Sequence, residues 1–403
     1  MKFFINSYFG DNQSIGLLSH IKKRLPYGMD DQWMVFSHYT ERGWTVDNLW
    51  HIFTDFYGGQ YAPLAFLSYL VLYAGFGYDP FYFHMFSLLL HIGCVCLVWK
   101  LISSLLRVHG GVSEKQILYV NFITTLLFAV HPINVEAVAW ISALKVLLYA
   151  FFYLLGLLCY LRYIRTSKIF YYVLTIGCFL CSFWGKEQAV TFPLALLIVD
   201  WFTNRNMKNL EVWSEKMSFL IMAFFFGIIT VLSQGKGPYE MIFPLYQRLL
   251  FGCFALVEYI TKSLLPVNLN FFYPFPIVLG EEPPLHYYLY PVVLLFLMGW
   301  IIAYRNNRYL VFGVLLFLVN LLFSIHLFNM SRHAIVADRY MYLSYVGIAF
   351  LIANGIWWLR KRLSYFKAAL VFLFFYCFFL SVYTFHYTKK WENTTMVKKY
   401  TKE

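Results

Sequence analysis

Residues 143–163 read ALKVLLYAFFYLLGLLCYLRY, an apolar run long enough to cross a bilayer as one helix. Similar runs recur along most of the 403 residues: 61% of the chain is hydrophobic, only 13% is charged, and the mean hydropathy is +0.61. This composition excludes a water-soluble domain, a disordered chain, a collagen-like chain and a repeat solenoid. The sequence therefore predicts an all-α, polytopic bundle of transmembrane helices.

The apolar runs divide the chain into roughly eleven predicted membrane helices, most of about 17 to 25 residues. They lie near 83–105, 117–130, 143–163, 169–185, 189–203, 217–233, 249–266, 287–304, 308–328, 340–359 and 366–386. The segment 249–266 leaves no room for one full crossing if its neighbours alternate between the two sides. We therefore expect it to be re-entrant or a hairpin.

The net charge of +12 arises from 32 Lys and Arg residues against 20 Asp and Glu residues. Four short polar connectors are rich in Lys and Arg: 162–168, 205–216, 305–308 and 360–367. The positive-inside rule places them in the cytoplasm, so the charge requires no nucleic acid partner. The polar segments on the other side contain Trp, Tyr, His and acidic residues, and chemistry is expected there.

Three regions follow from this pattern. Residues 1–80 are expected to form an outer-face segment with an acidic loop, residues 81–388 the transmembrane core, and residues 389–403 a short polar tail. Within the first region, residues 44–56 place apolar and aromatic side chains at helical spacing, which is typical of a helix that lies on a membrane surface. We expect the run 61–77 to do the same.

Several kinds of site are excluded by the motifs. The chain contains no P-loop, dinucleotide fingerprint, nucleophile elbow or HExxH zinc motif, so ATP-driven transport is not expected. All seven cysteines lie inside apolar runs without a metal-type grouping, and we expect them to be small buried apolar side chains. They are Cys94, Cys96, Cys159, Cys178, Cys181, Cys253 and Cys377.

Two adjacent carboxylates occur in the stretch Met29-Asp30-Asp31-Gln32-Trp33. One of them could serve as a general base toward a hydroxyl group. Adjacent side chains rarely point the same way, so we expect one to be catalytic and the other to be supporting. The alternative is a solvated pair of loop residues.

A second motif, HPINVEAVAW, occupies residues 131–140. His131 ends an apolar run, Pro132 starts a helix, and Glu136 shares one helix face with Trp140. A carboxylate beside an indole ring suits the binding of a sugar. The alternative is that His131 only caps the helix and that Glu136 is solvated.

A third motif, Gly185-Lys186-Glu187-Gln188, joins two apolar runs almost without a linker. Its charges must lie at a membrane surface or in a polar cavity, where Lys186 could hold a phosphate. The alternative is a tight turn whose Lys side chain extends to the interface.

A fourth motif, SRHAIVADRYMY at residues 331–342, brings two Arg, a His and an Asp to the outer start of an apolar helix. Positive charge on this side opposes the topology bias and indicates an anionic partner. A guanidinium group binds phosphate with forked geometry. The alternative is an internal pair between Asp338 and Arg339.

Taken in order, these motifs resemble the membrane half of the protein O-mannosyltransferase-like proteins of the GT-C class, which are usually followed by tetratricopeptide repeats. The stretches that carry the resemblance are Asp30-Asp31, residues 60–69, His84 to His91, residues 131–140, Lys186-Glu187, residues 272–274 and residues 337–343. Their order and spacing cover most of residues 29–392.

The resemblance implies a GT-C helix bundle that acts as an inverting glycosyltransferase. Such an enzyme would move mannose or a similar hexose from a polyprenyl-phosphate donor to a hydroxyl of a protein, lipid or glycan. The implied base is Asp30 or Asp31, and the implied phosphate ligands are Arg339, Arg332 and Lys186. The implied sugar and acceptor pocket contains His131, Glu136, Trp140, Glu187, His333 and Tyr340. The expected location is a bacterial cytoplasmic membrane, with the site facing the periplasm or exterior.

Two departures from the family pattern bear on the function. Residues 1–28 supply no hydrophobic helix ahead of the acidic pair, and no repeats follow Trp391, so protein, lipid and glycan acceptors are all retained. A lipid-linked oligosaccharide carrier or flippase is an alternative, in which charges should line a path at mid-bilayer. A non-catalytic GT-C homologue is a third interpretation. No cofactor is implied with certainty; the acidic pair could contribute oxygen ligands to Mg²⁺ or Mn²⁺, but the sequence assembles no full metal shell.

Overall fold

A computed structural model describes residues 31–234, 243–327 and 334–391 of the chain. In these ranges the chain is a bundle of helices with one two-stranded sheet. Each of the eleven apolar runs predicted from the sequence contains a helix. The predicted all-α class is therefore confirmed.

Four short helices precede the bundle: α1 (Asp31–Met34), α2 (His38–Glu41), α3 (Val46–Thr54) and α4 (Pro63–Phe76). The helices of the first half of the bundle are α5 (Pro80–His109), α6 (Glu114–Val130), α7 (Val135–Ala139), α8 (Leu144–Thr166), α9 (Ile169–Gly185) and α10 (Phe192–Phe202). Those of the second half are α11 (Leu210–Gln234), α12 (Leu245–Leu264), α13 (Leu289–Ala303), α14 (Arg308–Leu321), α15 (Met341–Trp358) and α16 (Leu363–Lys389). Strand β1 (Tyr273–Pro274) pairs antiparallel with β2 (Ala334–Val336).

Six stretches of the described residues are long and apolar enough to cross a membrane: Pro80–His109, Ile141–Thr166, Leu210–Ser233, Leu285–Ala303, Asp338–Lys361 and Leu363–Lys389. A seventh arises if α6 and Pro132–Ala139, which are bent by 51° relative to each other, form one span. These helices make the chain an integral membrane protein. The predicted number of roughly eleven membrane helices is reduced because some apolar runs form short helices. The 14 residues of α14, for example, rise only about 21 Å, less than the roughly 30 Å of a hydrocarbon core.

The helix ends gather on two faces. On the basic face, which carries the connectors 162–168, 205–216, 305–308 and 360–367, the rings of His109 and Phe202 stack with centroids 4.6 Å apart. Tyr309 lies 5.8 Å from the same Phe202 ring. The opposite face, called here the loop face, carries residues 131–142, 186–191, 265–288 and 334–340. The basic connectors and the polar motifs therefore lie at opposite ends of the bundle, as the sequence predicts.

Helix α12 is a single continuous helix rather than the predicted hairpin or re-entrant segment. Both of its ends contact the connector 265–288: the Gln247 side chain donates a hydrogen bond to the Glu281 carbonyl at 2.9 Å, and Lys262 donates one to the Tyr273 hydroxyl at 3.1 Å. This helix is not among the described stretches that are long and apolar enough to cross a membrane. The connector contains no α-helix, and five prolines lie within it, a residue that breaks helices.

Glycines bring neighbouring helices into close contact at two places. A Cβ atom added at Gly185 would lie 2.8 Å from the backbone nitrogen of Tyr149, so the end of α9 touches the backbone of α8. A Cβ atom added at Gly347 would lie 2.5 Å from the carbonyl oxygen of Gly313, where α15 crosses α14. Small residues allow such close packing of membrane helices.

The cysteines are all free. Cys94, Cys178 and Cys377 are buried as predicted, whereas Cys96 is exposed on the outer surface of the bundle. The prediction of burial is wrong for Cys96 because an apolar run does not distinguish the side of a helix that faces its neighbours from the side that faces lipid.

Candidate active site on the loop face

Asp31 is held against the turn that precedes α8. Its Oδ1 atom accepts a hydrogen bond from the backbone N–H of Ser142 at 2.9 Å and a second from the Ser142 hydroxyl. The Asp31 side chain is only 1% exposed. The same turn is fixed by Tyr69, whose hydroxyl donates to the carbonyl of Ile141 at 2.9 Å. The alternative of a solvated loop residue is therefore wrong for Asp31.

Lys145, which we did not single out from the sequence, contacts α1, the short helix that begins with Asp31. It is buried in the first turn of α8, where its ammonium group donates to Gln60 and lies 3.7 Å from the Met34 sulfur. Asp31 and Met34 are one helical turn apart, and so are their partners Ser142 and Lys145, which brings the ammonium near the carboxylate. The sequence did contain an indication of Lys145, because it is an ionisable residue inside an apolar run. Such residues are functional candidates in membrane proteins.

Glu136 and Arg339 form a buried ion pair. The backbone N–H of Arg339 donates to Glu136 Oε2 at 2.6 Å, and the Nη1 atom of its guanidinium group lies 2.5 Å from Oε1. The guanidinium also lies 5.2 Å from the ring centroid of Trp140 and 5.1 Å from that of Tyr340. Glu136 is fully buried, so the solvated alternative is wrong for this residue. Four predicted site residues thus meet in one place.

Asp338 is bound by a residue from a distant part of the chain. The Tyr273 hydroxyl lies 3.0 and 3.2 Å from the two carboxylate oxygens of Asp338, and Lys262 donates to that hydroxyl at 3.1 Å. Pairing of β1 with β2 brings Tyr273 to this position. Burial and the neighbouring Asp338 carboxylate raise the pKa of Tyr273 above its ordinary value. Tyr273 and Lys262 were missed because nothing in the sequence indicates which loops pair.

Lys186 also lies beside Tyr340. Its ammonium group is buried and lies 4.7 Å from the centroid of the Tyr340 ring, the same ring that contacts Arg339. The close contact at Gly185 places Lys186 inside the bundle, so the alternative of a side chain extended to the interface is wrong. The next residue, Glu187, is partly buried at the start of the 3₁₀ turn Glu187–Thr191.

His131 caps the turn that follows α6. Its Nδ1 atom accepts a hydrogen bond from the backbone N–H of Ile133 at 3.2 Å, and its ring centroid lies 4.2 Å from that of Tyr345. The capping interpretation is therefore confirmed. A contact of His131 with sugar or acceptor stays a prediction.

Aromatic rings form one wall of the site around Trp140. The Trp140 ring stacks on Trp391 with centroids 6.1 Å apart and meets Phe271 edge-on at 5.6 Å. Trp391 follows the last helix, α16, and Phe271 belongs to the connector 265–288. Two distant parts of the chain therefore support the indole ring that lies against Arg339.

Three predicted site residues, Asp30, Arg332 and His333, lie outside the described residues. Among residues 31–234, 243–327 and 334–391, no group of three or more His, Cys, Asp or Glu side chains is arranged to hold a metal ion. The described site consists of buried carboxylates, buried cations and aromatic rings at one end of the bundle.

Comparison with curated proteins finds similar sequences in animals. Protein O-mannosyl-transferase TMTC2 of Homo sapiens is 33% identical over 189 residues, which are 43% of this chain and 21% of that protein. Protein O-mannosyl-transferase TMTC4 of Homo sapiens is 31% identical over 167 residues, 36% of this chain and 22% of that protein. Protein O-mannosyl-transferase Tmtc3 of Drosophila melanogaster is 28% identical over 172 residues, 38% of this chain and 18% of that protein. This chain resembles the TMTC proteins.

The resemblance to the TMTC proteins confirms the family likeness inferred from the motifs. The chain spans about a fifth of the length of the curated relatives that it matches. No family model matches the sequence, and no solved structure matches it significantly. Because these TMTC relatives are animal proteins, they give no support to the expectation of a bacterial membrane.

Proposed function

We propose that this chain is a membrane glycosyltransferase that moves mannose, or a similar hexose, from a polyprenyl-phosphate donor to an acceptor hydroxyl outside the cytoplasm. The names of the TMTC relatives support the transfer of mannose to protein. The observation that carries the proposal is that Asp31, Lys186 and Arg339 all lie on the face opposite the basic connectors. A carboxylate and buried cations at a membrane boundary suit a reaction between a lipid phosphate and a hydroxyl group.

The proposed reaction is a single displacement that inverts the anomeric carbon. A carboxylate of the Asp30-Asp31 pair takes the proton of the acceptor hydroxyl, whose oxygen forms a bond to the sugar C1 atom. The bond between C1 and the phosphate oxygen breaks, and the lipid phosphate leaves with the bonding electrons. Cations that stabilise the leaving phosphate lower the barrier. Because Asp31 is already hydrogen-bonded to Ser142, we expect Asp30 and Asp31 to contribute differently to the reaction.

The proposed ligands of the donor phosphate are Arg339, Arg332 and Lys186. Lys186 and Arg339 lie 4.7 and 5.1 Å from the centroid of the same Tyr340 ring, so one phosphate group placed beside this ring could reach both side chains. Glu136 orients Arg339 through two contacts and balances its charge before the donor binds. The remaining pocket residues proposed to contact sugar or acceptor are His131, Trp140, Glu187, His333 and Tyr340.

The proposed acceptor is the hydroxyl of a protein Ser or Thr residue, because the relatives are named as protein O-mannosyl-transferases. Lipid and glycan hydroxyls are the other acceptors to be tested. The reaction requires the same groups for each acceptor class: a base at the hydroxyl and cations at the leaving phosphate.

The distribution of buried charge favours a transferase over a carrier or flippase. Among the described residues, buried Asp, Glu and Lys side chains lie near the helix ends on one face or the other, whereas a carrier path needs them at mid-bilayer. Those on the loop face are Asp31, Glu136, Lys145, Lys186, Lys262 and Asp338, and those on the basic face are Asp200 and Lys216.

The first test measures the transfer of radiolabelled mannose from synthetic polyprenyl-phosphate mannose in membranes that contain this chain. The chain is compared with Asp30→Asn, Asp31→Asn and Arg339→Ala variants at matched protein levels. Asp47→Asn is the control, because Asp47 is a highly exposed carboxylate of the same N-terminal region. We expect turnover by the unchanged chain and the control, and loss of turnover in at least one variant of the acidic pair.

Two other results would contradict the proposal. If turnover survives both the Asp30→Asn and the Asp31→Asn substitution, neither carboxylate of the acidic pair is the general base. Absence of donor consumption by the unchanged, folded chain would favour the carrier or the non-catalytic homologue, and a lipid-flipping assay would separate those two. A parallel reaction with EDTA, followed by added Mg²⁺ or Mn²⁺, tests the metal requirement directly.

A further inference from the structure

The indole ring of Trp140 is buried beside Arg339, but its N–H group has no hydrogen-bond partner among the described residues. The side chain as a whole is only 3% exposed. A buried donor that makes no hydrogen bond costs free energy, so its presence in a folded protein requires an explanation. The pocket assigned above to sugar or acceptor gives this N–H group no partner.

Two other aromatic rings fix the orientation of the indole. Trp391 stacks on it at an interplanar angle of 29°, and Phe271 meets it edge-on at 87°. Trp391 and Phe271 also contact each other, with ring centroids 5.7 Å apart. Three rings that touch pairwise in a close-packed core cannot turn independently of one another. The Trp140 N–H group therefore has a fixed direction before any ligand binds.

The end of α16 holds Trp391 in this position. The Tyr387 ring meets Trp391 edge-on with centroids 6.3 Å apart, and both side chains are buried. One turn earlier, the Thr384 hydroxyl donates to the carbonyl of Val130 at 2.8 Å, at the residue that precedes the motif 131–140. The last turns of α16 are thus docked on the segment that carries Trp140. A change at Trp391 is therefore expected to reach the candidate site through the Trp140 indole.

The chemistry around this donor favours an anionic ligand. The Arg339 guanidinium lies 5.2 Å from the centroid of the Trp140 ring. An Arg side chain has five N–H donors, so the contact of its Nη1 atom with Glu136 is compatible with a second anion. An indole N–H group can only donate, so its ligand must supply an acceptor oxygen. A phosphate group offers such oxygens to a cation and to a neutral donor together, whereas a sugar hydroxyl makes no use of the cation.

We propose that the Trp140 N–H group donates a hydrogen bond to an oxygen of the lipid-linked phosphate group that Arg339 binds, and that Trp391 is a positioning residue for this donor. The ligand is a polyprenyl phosphate, so its identity rests on the proposed function. The hydrogen bond strengthens as negative charge develops on the phosphate during the displacement, because bonds to ionised acceptors are the stronger ones.

The first test observes this N–H group directly, in the full chain in phosphatidylcholine nanodiscs. Isotope-labelled tryptophan gives indole N–H signals from 12 side chains in an NMR spectrum, and the signal that is absent from the Trp140→Phe variant belongs to Trp140. A short-chain polyprenyl phosphate is titrated into one sample and inorganic phosphate into another. We expect the Trp140 proton signal to move downfield as polyprenyl phosphate binds. It should stay in place at the same concentration of inorganic phosphate, because the buried lipid chain supplies part of the affinity.

The second test compares variants by their dissociation constants for radiolabelled polyprenyl phosphate, which requires no turnover. Trp140→Phe should raise the constant about tenfold, as expected for the loss of a hydrogen bond to a charged group. Trp391→Phe should raise it less, because the donor remains but its direction is no longer fixed. The double variant should bind as weakly as Trp140→Phe alone, since Trp391 acts only through the donor.

Trp357→Phe is the matched control for the binding measurement. The Trp357 N–H group is also buried without a partner among the described residues, and its ring lies 4.3 Å from Arg360, but on the basic face. We expect this variant to bind polyprenyl phosphate as the unchanged chain does. If Trp140→Phe does not fold, benzothienylalanine at position 140, which keeps the shape of the ring without the donor, carries the same expectation.

The possible failures are distinguishable. A Trp140 signal that stays in place while polyprenyl phosphate binds would overturn this inference alone, and an equal response to inorganic phosphate would contradict a lipid-linked ligand. Binding without turnover of the donor would contradict the proposed function alone, and absence of any binding would contradict both. If the effect of Trp391→Phe persists in the Trp140→Phe background, Trp391 is not a positioning residue for Trp140.

Discussion

At the scale of single residues, the candidate site depends on how its carboxylates are held. Asp31 is fixed by Ser142, and Glu136 is fixed by Arg339. Buried ionised groups need such partners, because an unpaired charge in a low-dielectric environment is costly. Each carboxylate is bound to a group more than 100 residues away in the chain, so the site exists only when the helices have packed.

Ser142→Ala removes the hydroxyl that donates to Asp31 and leaves the backbone donor in place. A hydrogen bond to a charged group contributes about 1.5 to 3 kcal/mol, so we expect the transfer rate to fall by about tenfold or more. The control is Ser87→Ala, since the Ser87 hydroxyl is buried without a hydrogen-bond partner among the described residues. The measurement is steady-state transfer by both variants. If Ser142→Ala is as active as the control, Asp31 does not belong to the active site.

At the scale of helices, the contact between α8 and α9 positions Lys186. Gly185 ends α9 where no Cβ atom fits, because the backbone of Tyr149 occupies that space. The close approach directs the next residue, Lys186, toward Tyr340 rather than toward the membrane surface. One glycine thus determines where a cation of the candidate site lies.

Gly185→Ala is expected to separate the two helices and to destabilise the fold by about 1 to 3 kcal/mol, as overpacking in a close-packed core does. Transfer per folded molecule should fall as well, because Lys186 moves with the end of α9. Gly177→Ala is the matched control on the same helix, since an added Cβ atom there meets no atom within 4 Å. Thermal unfolding in nanodiscs and transfer assays test both effects; equal behaviour of the two variants would show that the contact is unimportant.

At the scale of the whole molecule, buried charges occupy both ends of the bundle but differ in arrangement. On the basic face, Lys216 and Asp200 are fully buried and in contact, and Arg205 lies 2.6 Å from Glu215. The Tyr160 hydroxyl contacts this cluster. Two acidic residues, Asp200 and Glu215, are balanced by two basic residues, Lys216 and Arg205. Such a balanced ion-pair network is typical of a contact that stabilises the packing of helices. The cluster is about 27 Å from Ser142 along α8, at a rise of 1.5 Å per residue.

Lys216→Met removes one of the two cations that contact the buried Asp200 carboxylate, leaving Arg205 at 3.2 Å, and is expected to cost about 3 kcal/mol of stability. The double variant Asp200→Asn with Lys216→Met should recover part of that loss, because the carboxylate charge that lost this cation is removed as well. Transfer per folded molecule should stay unchanged in both, since the cluster is remote from the candidate site. Lys168→Met, at an exposed position on the same face, is the control. Thermal unfolding measures the stability of the single, double and control variants. A loss of transfer per folded molecule would contradict a purely structural role of the cluster.

The sequence determined the class of this protein and the two faces of its bundle. Apolar runs of membrane-spanning length require helices, because backbone groups in lipid must be satisfied within the segment. The basic connectors then set the faces, and the motifs around Asp31, Glu136, Lys186 and Arg339 indicated which face carries the site. These features are local in the chain, so composition and spacing reveal them.

Only the tertiary structure decided which residues are partners. Pairing of Asp31 with Ser142, of Glu136 with Arg339 and of Asp338 with Tyr273 joins segments that are distant in sequence. The structure also added Lys145 to the site and showed that residues 245–264 form one continuous helix. Helix periodicity tells which side chains share a side of one helix, but the contacts between helices depend on how all of them pack around a common core.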